Sequence, residues 1–324
     1  MIAPWLEPAW RALAARLAAG TLPHAILVAG PAGLGKREFA RALEAALLCE
    51  KRNPDGHACD ACRGCRLRAA GSHPDMRRVS YALNDKGEPR TEIVVEQVRE
   101  LGAALVMTSQ LGGYRTATID PAEALNASSS NALLKTLEEP APGAILVLVS
   151  DRPARLLATI RSRCQRIDAR FPPREEALDW LRRQGIAEAD AEAALALAAG
   201  NPGMAREYAG TDSRALATEV GADLAALAAG TAGPADVAAR WAKDRPALRL
   251  QLAGELARLG AWQSAGAGAT GAGRELARLT ARADLFKLAG WWDQANLVRA
   301  QLSTPLRTDL LLFEVLNDFR ALAA

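Results

Sequence analysis

Short apolar runs alternate with amphipathic stretches through the first half of the chain. Residues 24–29 form one such run, which leads directly into a glycine-rich segment that begins at Gly30. After this segment, Phe39, Leu43 and Leu47 recur every four residues, which is the spacing of one helix face. This alternation predicts a parallel α/β sheet, with strands at residues 24–29, 76–82, 115–120, 144–150 and 164–168.

The pattern becomes entirely helical beyond residues 171–174, where the sequence Phe-Pro-Pro-Arg interrupts it. Two helices are already expected before this point, one that starts near Gly35 and one from residue 122 to just before Pro140. The helices predicted after it lie at residues 173–184, 187–199 and 202–208, with Gly185 and Gly200 ending the first two. From about residue 211 leucine and alanine recur at helical spacing, and a Gly/Ala-rich insert at 264–273 is expected to form a flexible loop.

Residues 30–37 read Gly-Pro-Ala-Gly-Leu-Gly-Lys-Arg, which resembles a phosphate-binding loop in all but its last position. Gly30, Gly33 and Gly35 allow backbone N–H groups to close around a polyphosphate, and Lys36 can reach its terminal oxygens. The next position ordinarily carries a serine or threonine that holds magnesium, but here it is Arg37, which cannot ligate a cation. The pattern therefore predicts a nucleotide-hydrolysing scaffold whose own hydrolysis is impaired.

Composition narrows the classes of function without naming one. Lysine and arginine outnumber acidic residues only slightly, and a net charge of +3 is too small to indicate a nucleic-acid-binding protein. Arginines nevertheless cluster at residues 152–174 among few acids, which favours a phosphate-facing surface over a solvated charged face. The longest strand-like apolar run, at 144–149, is too short to cross a bilayer, and the first residues do not resemble a secretion signal. A cytoplasmic location without membrane contact is therefore expected.

Four cysteines lie close together in the sequence, at Cys49, Cys59, Cys62 and Cys65. Four thiolates at these intervals in a cytoplasmic chain suit the tetrahedral coordination of zinc, so we predict a structural zinc module at about residues 49–73. A disulfide is disfavoured by the expected compartment, and an iron–sulfur cluster by the lack of other signs of electron transfer. His57 and His73 are interpreted as loop residues, and Cys164 as a packing residue.

Four segments in a fixed order identify a family. They are residues 22–36 around the glycine-rich loop, the cysteine module, Asn-Ala-Leu-Leu-Lys-Thr-Leu-Glu-Glu-Pro at 131–140, and Thr-Ile-Arg-Ser-Arg-Cys at 159–164. Their order and spacing resemble those of the bacterial clamp-loader ATPases of the AAA+ class. The resemblance implies an AAA+ α/β domain at residues 1–169 with an inserted zinc module, an all-α three-helix lid at 170–209, and an all-α collar or oligomerisation domain at 210–324.

Three departures from the active pattern make the chain similar to the delta-prime branch of this family rather than to the ATP-hydrolysing gamma/tau branch. Active members carry a hydroxyl at the position of Arg37, a water-activating glutamate at that of Pro121, and a phosphate-sensing arginine at that of Gly203. Glu123 and Arg206 lie near the last two positions but do not match them. The resemblance implies a subunit that does not hydrolyse ATP, although it leaves ATP binding at the loop open.

The motif Ser162-Arg163-Cys164 is retained. In the family that the chain resembles, this arginine enters the ATP site of a neighbouring subunit and stabilises charge on the phosphoryl group, a task that suits the planar guanidinium fork. The resemblance thus implies that Arg163 is an arginine finger acting in trans. The alternative is a salt-bridged surface arginine.

The implied assembly is a circular pentamer with delta and gamma/tau subunits, in which this chain is a rigid stator during loading of the sliding clamp onto primer–template DNA. Two other functions stay open. One is a weak ATPase in which Lys36 suffices and water completes the magnesium shell. The other is a module whose zinc-bearing part contacts nucleic acid directly.

Overall fold

The structure is a computed structural model that describes residues 2–82, 90–264, 285–302 and 306–323. The chain divides into two compact units, Met1–Pro172 and Pro173–Ala324. The predicted collar and all but the first three residues of the predicted lid fall within the second unit, so the boundary between residues 209 and 210 stays a prediction. From residue 265 onward, the loop predicted at 264–273 lies outside the described residues.

A parallel sheet organises the first unit. Among the described residues it has five strands, in the order β2-β3-β4-β1-β5, and each neighbouring pair is parallel. Every residue of β1 and β4 is buried, because apolar residues occupy both faces of these central strands. All five predicted strands are confirmed, some of them shorter than predicted. Their bounds are Ala25–Ala29 (β1), Met76–Val79 (β2), Arg115–Ile119 (β3), Ala144–Ser150 (β4) and Gln165–Asp168 (β5).

Helices cover the sheet. The helix α2 begins at Lys36, and Phe39 belongs to the same buried cluster as Val28 of β1 and Val147 of β4. The helix predicted from residue 122 begins later, because Asn126 accepts a hydrogen bond from the backbone N–H of Ser129 at 2.9 Å and so caps α5. The helices of this unit are Glu7–Ala18 (α1), Lys36–Leu48 (α2), Arg63–Ala69 (α3), Val95–Val106 (α4), Ala127–Glu138 (α5) and Ala158–Arg163 (α6).

The described part of the second unit is helical. Gly185 and Gly200 both have φ near 83° and lie just beyond helix ends, as predicted. Trp291 is buried, and its indole Nε1 donates to the carbonyl of Val315 at 2.7 Å. Within the described ranges, no helix has the length and apolarity needed to span a membrane. The helices are Arg174–Arg183, Glu188–Leu197, Pro202–Tyr208, Thr211–Ala228, Pro234–Trp241, Pro246–Ser264, Leu285–Gln301 and Thr308–Ala323.

Candidate functional site

The glycine-rich loop joins β1 to α2 at the carboxyl edge of the sheet. Gly30 has a φ of 142°, and a Cβ atom at this position would lie 2.2 Å from the carbonyl oxygen of Ala169. Gly35, with a φ of 78°, adopts the left-handed conformation immediately before α2. Both positions therefore need glycine, because a side chain would either clash with the backbone or strain it. The strand, loop and helix lie in the predicted order.

The two cations of the loop are paired with carboxylates. Lys36 is buried, and its Nζ lies 2.5 Å from Oδ1 of Asp151 while also donating to the carbonyl of Pro31 at 2.5 Å. The Nε atom of Arg37 donates to Oδ2 of Asp120 at 2.9 Å, and its Nη2 donates to Oδ2 of Asp151 at 3.0 Å. We call Lys36, Arg37, Asp120 and Asp151 the loop ion-pair cluster.

The two carboxyl groups of this cluster have opposite shifts in pKa. Burial raises the pKa of Asp151, but hydrogen bonds from Lys36 and Arg37 outweigh burial and hold that pKa below its usual range. Burial raises the pKa of Asp120 above its usual range despite the guanidinium of Arg37, and the nearby charges of Asp151 and Glu123 add to this effect. Asp151 is therefore the better stabilised of the two negative charges.

Sheet topology explains how residues far apart in sequence meet at the loop. Asp120 directly follows β3, and Asp151 directly follows β4, the strand that pairs with β1. The carboxyl ends of parallel strands meet at one edge of the sheet, which is also the edge that carries the loop after β1. Sequence reasoning did not assign a role to Asp151. Its position after a buried strand, like that of Asp120, is the signal that could have identified it.

The N-terminal segment packs against the loop. The indole Nε1 of Trp5 donates to the carbonyl of Leu34 at 2.9 Å. The methyl group of Ala3 lies 3.1 Å from where a Cβ of Gly35 would stand, and both Ala3 and Leu6 are buried. Both its own ion pairs and the packing of the N-terminal segment therefore hold the loop in place.

The four predicted cysteines come together at the opposite end of α2. Their Sγ atoms all lie within 4.8 Å of one another, and all four are free thiols. Cys49 directly follows α2, and Cys62 caps the start of α3 by accepting a hydrogen bond from the N–H of Cys65 at 3.4 Å. The N–H groups of Cys59 and Cys62 likewise donate to Sγ of Cys49 and Cys59 at 3.3 and 3.4 Å. This group of thiols could bind a metal ion.

The environment of the cysteines favours a negatively charged sulfur at one of them. Burial opposes ionisation of Cys62, but backbone N–H groups and the neighbouring thiols outweigh it and lower the pKa of Cys62 to about 6. Burial and the nearby sulfurs of Cys62 and Cys49 raise the pKa of Cys65. Converging thiols resist ionising together, and a bound cation removes this conflict.

The histidines of the module lie outside the thiol cluster. His57 stacks on Trp10 of α1, with ring centroids 4.3 Å apart and planes 16° apart. The indole Nε1 of Trp10 also donates to the carbonyl of Asp55 at 3.2 Å. His73 is buried, and its Nδ1 accepts a hydrogen bond from the N–H of Asp75 at 3.2 Å. His57 is therefore a loop residue that anchors the module to α1.

Arg163 is the last residue of α6, and its side chain is 37% exposed. Its Nη2 lies 2.8 Å from Oε1 of Glu138, the last residue of α5, and its Nη1 donates to the carbonyl of Thr159 at 3.1 Å. Within the described chain, its contacts do not include the loop ion-pair cluster. The scarcity of acids around Arg163 in sequence did not reveal Glu138, because the acid belongs to a different helix.

Comparisons with known proteins place these features in a family. The family model described as DNA polymerase III, delta subunit, matches residues 5–173, which is more than half of the chain. The chain belongs to this family. A DNA polymerase III subunit delta-prime of Pseudomonas aeruginosa is 40% identical over 222 residues, covering 68% of this chain and 65% of that protein. The Escherichia coli subunit delta-prime is 41% identical over 205 residues, covering 62% and 59%.

These findings confirm the predicted relation to the delta-prime branch of the family. The matched segments span 65% and 59% of the length of the two relatives. The solved structure of a DNA polymerase III gamma subunit-related protein from Thermotoga maritima has a TM-score of 0.47 and 19% identity, and the match covers 93% of this chain and 95% of that one.

Proposed function

We propose that this family member is a delta-prime-type subunit of a clamp loader that does not hydrolyse ATP. It joins delta and gamma/tau subunits in a pentamer and acts as a stator while the assembly loads a sliding clamp onto primer–template DNA. This proposal rests on a contrast between the loop and Arg163, both of which lie in the first unit. The cations of the chain's own loop are paired with Asp120 and Asp151, whereas Arg163 stays accessible at the end of a helix.

Arg163 acts in trans, at the ATP site of a neighbouring subunit. Both partners of its ion pair are well exposed, 37% for Arg163 and 50% for Glu138, and pairs of this kind contribute about 0–1 kcal/mol. A phosphate group offers the guanidinium a bidentate, charge-assisted contact in a less hydrated place, so Arg163 can exchange Glu138 for it. Glu138 keeps the finger oriented until the neighbour's site forms.

The cysteine cluster holds a structural zinc ion through the thiolates of Cys49, Cys59, Cys62 and Cys65. The ion supplies a fixed crosslink between the end of α2 and the start of α3. Zinc suits the site because the donors are four sulfur atoms, close enough together for tetrahedral coordination. The stack of His57 on Trp10 then ties the crosslinked module to α1.

The test is ATP hydrolysis by the clamp loader reconstituted with Arg163→Ala. Arginine fingers contribute about 10³ to 10⁵ in rate at the site that they serve. DNA-dependent ATP turnover and clamp loading should both fall. Total turnover should fall by less than this factor, because the other ATP sites of the assembly continue to hydrolyse ATP. Arg163→Lys should restore little, since an ammonium lacks the guanidinium fork.

Arg183→Ala is the matched control, because this exposed arginine also ends a helix and donates to the carbonyl four residues before it, but lies outside the arginine cluster at 152–174. It should leave both rates unchanged. If the Arg163→Ala complex hydrolyses ATP and loads the clamp at wild-type rates, Arg163 does not act in trans. ATP turnover by the isolated chain, abolished by Lys36→Ala, would instead show that the subunit is an ATPase.

A further inference from the structure

The loop ion-pair cluster contains the charges that a magnesium nucleotide would bring. In a working phosphate loop, a lysine faces phosphate oxygens, and a metal ion neutralises nearby carboxylates. Here Lys36 faces the carboxylate of Asp151 at 2.5 Å, and the guanidinium of Arg37 lies between the carboxylates of Asp120 and Asp151. The carboxylate of Asp151 thus takes the place of the phosphate that would face Lys36, and the guanidinium of Arg37 takes the place of the metal ion that would neutralise the carboxylates.

Burial makes the contact between Lys36 and Asp151 hard to replace. The side chain of Lys36 is 1% exposed, and that of Asp151 is 22% exposed. A buried ammonium requires an anionic partner, so a phosphate could bind Lys36 only by displacing Asp151. The displaced carboxylate would remain close to the phosphate, and Asp120 would add a second like charge. As arranged, these residues therefore do not fit a magnesium nucleotide.

We propose that Asp151 and Arg37 are built-in substitutes for the nucleotide's phosphate and its metal ion, which keep the loop ordered without either ligand. The inference rests on the proposed function, because it explains how a subunit that hydrolyses nothing can retain an ordered nucleotide-type loop. Asp151 then decides whether the loop accepts polyphosphate. The missing hydroxyl at position 37 is not the decisive defect.

The first experiment measures binding of ATP and of inorganic tripolyphosphate to the full chain by calorimetry and by thermal unfolding. Wild-type protein should show weak binding and little change in Tm. Asp151→Asn should unfold at a lower temperature, because Lys36 loses its anion. Tripolyphosphate should restore that Tm without magnesium and bind about tenfold or more tightly than to wild type, since the competing like charge is gone.

Asp168→Asn is the matched control. Asp168 ends β5 at the same edge of the sheet, and its described ion pairs are with Arg166 at 2.6 Å and Arg170 at 3.9 Å rather than with Lys36 or Arg37. It should produce neither the gain in binding nor the recovery of Tm. Equal gains in both variants would mean that net charge, rather than the contact with Lys36, governs anion binding, and would overturn the proposal.

A second variant keeps the test decisive if Asp151→Asn does not fold. Arg37→Thr restores the hydroxyl of the standard motif but leaves Asp151 on Lys36. The proposal expects no gain in binding of magnesium and ATP, whereas a defect limited to the missing hydroxyl would be repaired. A gain in Arg37→Thr, or ATP binding by wild type as tight as by Asp151→Asn, would contradict the proposal.

Phosphate release, followed in the same samples, separates the two proposals. If the wild-type chain binds ATP as tightly as Asp151→Asn but releases no phosphate, Asp151 does not substitute for phosphate, and the proposed non-hydrolysing function still holds. If the wild-type chain itself hydrolyses ATP, the proposed non-hydrolysing function is wrong.

Discussion

Helix α2 carries a charged site at each end, and the two sites satisfy their charges in different ways. At its first turn, Lys36 and Arg37 meet carboxylates of the same chain. Beyond its last turn, Cys49 joins three other thiols, all within 4.8 Å of one another. The loop combines opposite charges and is electrostatically complete, whereas the cysteine cluster combines groups that can all become negative. Under the proposed function, only the second site gains its stability from an ion supplied by solution.

This contrast shows that a ligand-binding motif and a need for the ligand are separate properties. The loop keeps most of its motif, yet contacts from the residues that follow β3 and β4, Asp120 and Asp151, replace the charges that the ligand would bring. The thiols of the cysteine module have no comparable internal cation among their described hydrogen bonds, which join them to backbone N–H groups and to one another. Metal removal should therefore affect the cysteine module strongly and the loop very little.

The largest expected effect comes from removing one thiol. Structural zinc in small modules contributes on the order of 10 kcal/mol of apparent binding free energy, so Cys62→Ser should disorder residues 49–73. Metal analysis of the wild-type chain should find about one zinc per chain and no iron. Hydrogen exchange should show loss of protection in the module and little change in β1 and β4.

Cys164→Ser supplies the control, because this cysteine is partly buried against the core of the sheet and lies outside the thiol cluster. It should keep the metal and the protection pattern. Well under one zinc per wild-type chain, or unchanged protection in Cys62→Ser, would show that the module needs no ion. The loop and the module would then not differ in their need for a ligand.

An intermediate effect is expected at the other end of α2. Lys36→Met removes a buried cation, and Asp151 keeps Arg37 as a partner, so the first unit should lose about 1–3 kcal/mol of stability. Differential scanning calorimetry would measure the shift in Tm. Lys243→Met, at an exposed lysine of the second unit, should leave Tm unchanged. An unchanged Tm in Lys36→Met as well would mean that the loop does not depend on its internal ion pairs.

The smallest effect is the dependence of stability on pH. A carboxyl whose pKa is lower in the folded chain stabilises the fold above its unfolded pKa, near 4, and loses this contribution as pH falls through the folded pKa. Asp151 has such a lowered pKa, so Asp151→Asn should reduce the loss of Tm below about pH 4.

Asp120 has the opposite shift, so its contribution grows as pH falls through its raised folded pKa. Asp120→Asn should therefore steepen the loss of Tm over the acidic range in which Asp151→Asn flattens it. Calorimetric scans of both variants at several pH values would check the two signs. Shifts of the same sign would contradict the asymmetric charge distribution within the loop cluster.

Local patterns predicted much of the fold. The central strands β1 and β4 followed from apolar runs, and the start of α2 followed from the glycines and the spacing of Phe39 and Leu43. Helices α1, α3, α4 and α6 were not predicted, although Trp10, Leu13 and Leu17 of α1 have helical spacing and are buried. The three- and four-residue spacing of these buried apolar residues in α1 is a local pattern of the same kind as the one that predicted α2.

The contacts that decide the candidate site are less accessible from sequence. Asp151 lies 114 positions after Arg37, and only the strand order brings it to the loop. Glu138 reaches Arg163 because α5 and α6 end close together. The cysteines are an exception, because their short spacing in sequence already limits how far apart their thiols can be.

The order of synthesis gives the strand arrangement a further consequence. Strand β1 lies between β4 and β5, so both of its neighbours leave the ribosome long after it does. At about 5–20 residues per second, the 114 positions from Arg37 to Asp151 take roughly 6 to 23 seconds to translate. During that interval the nascent loop carries two cations without the carboxylate that later joins them. All four cysteines have been synthesised once Cys65 is added, so the proposed zinc site can close well before the loop matures.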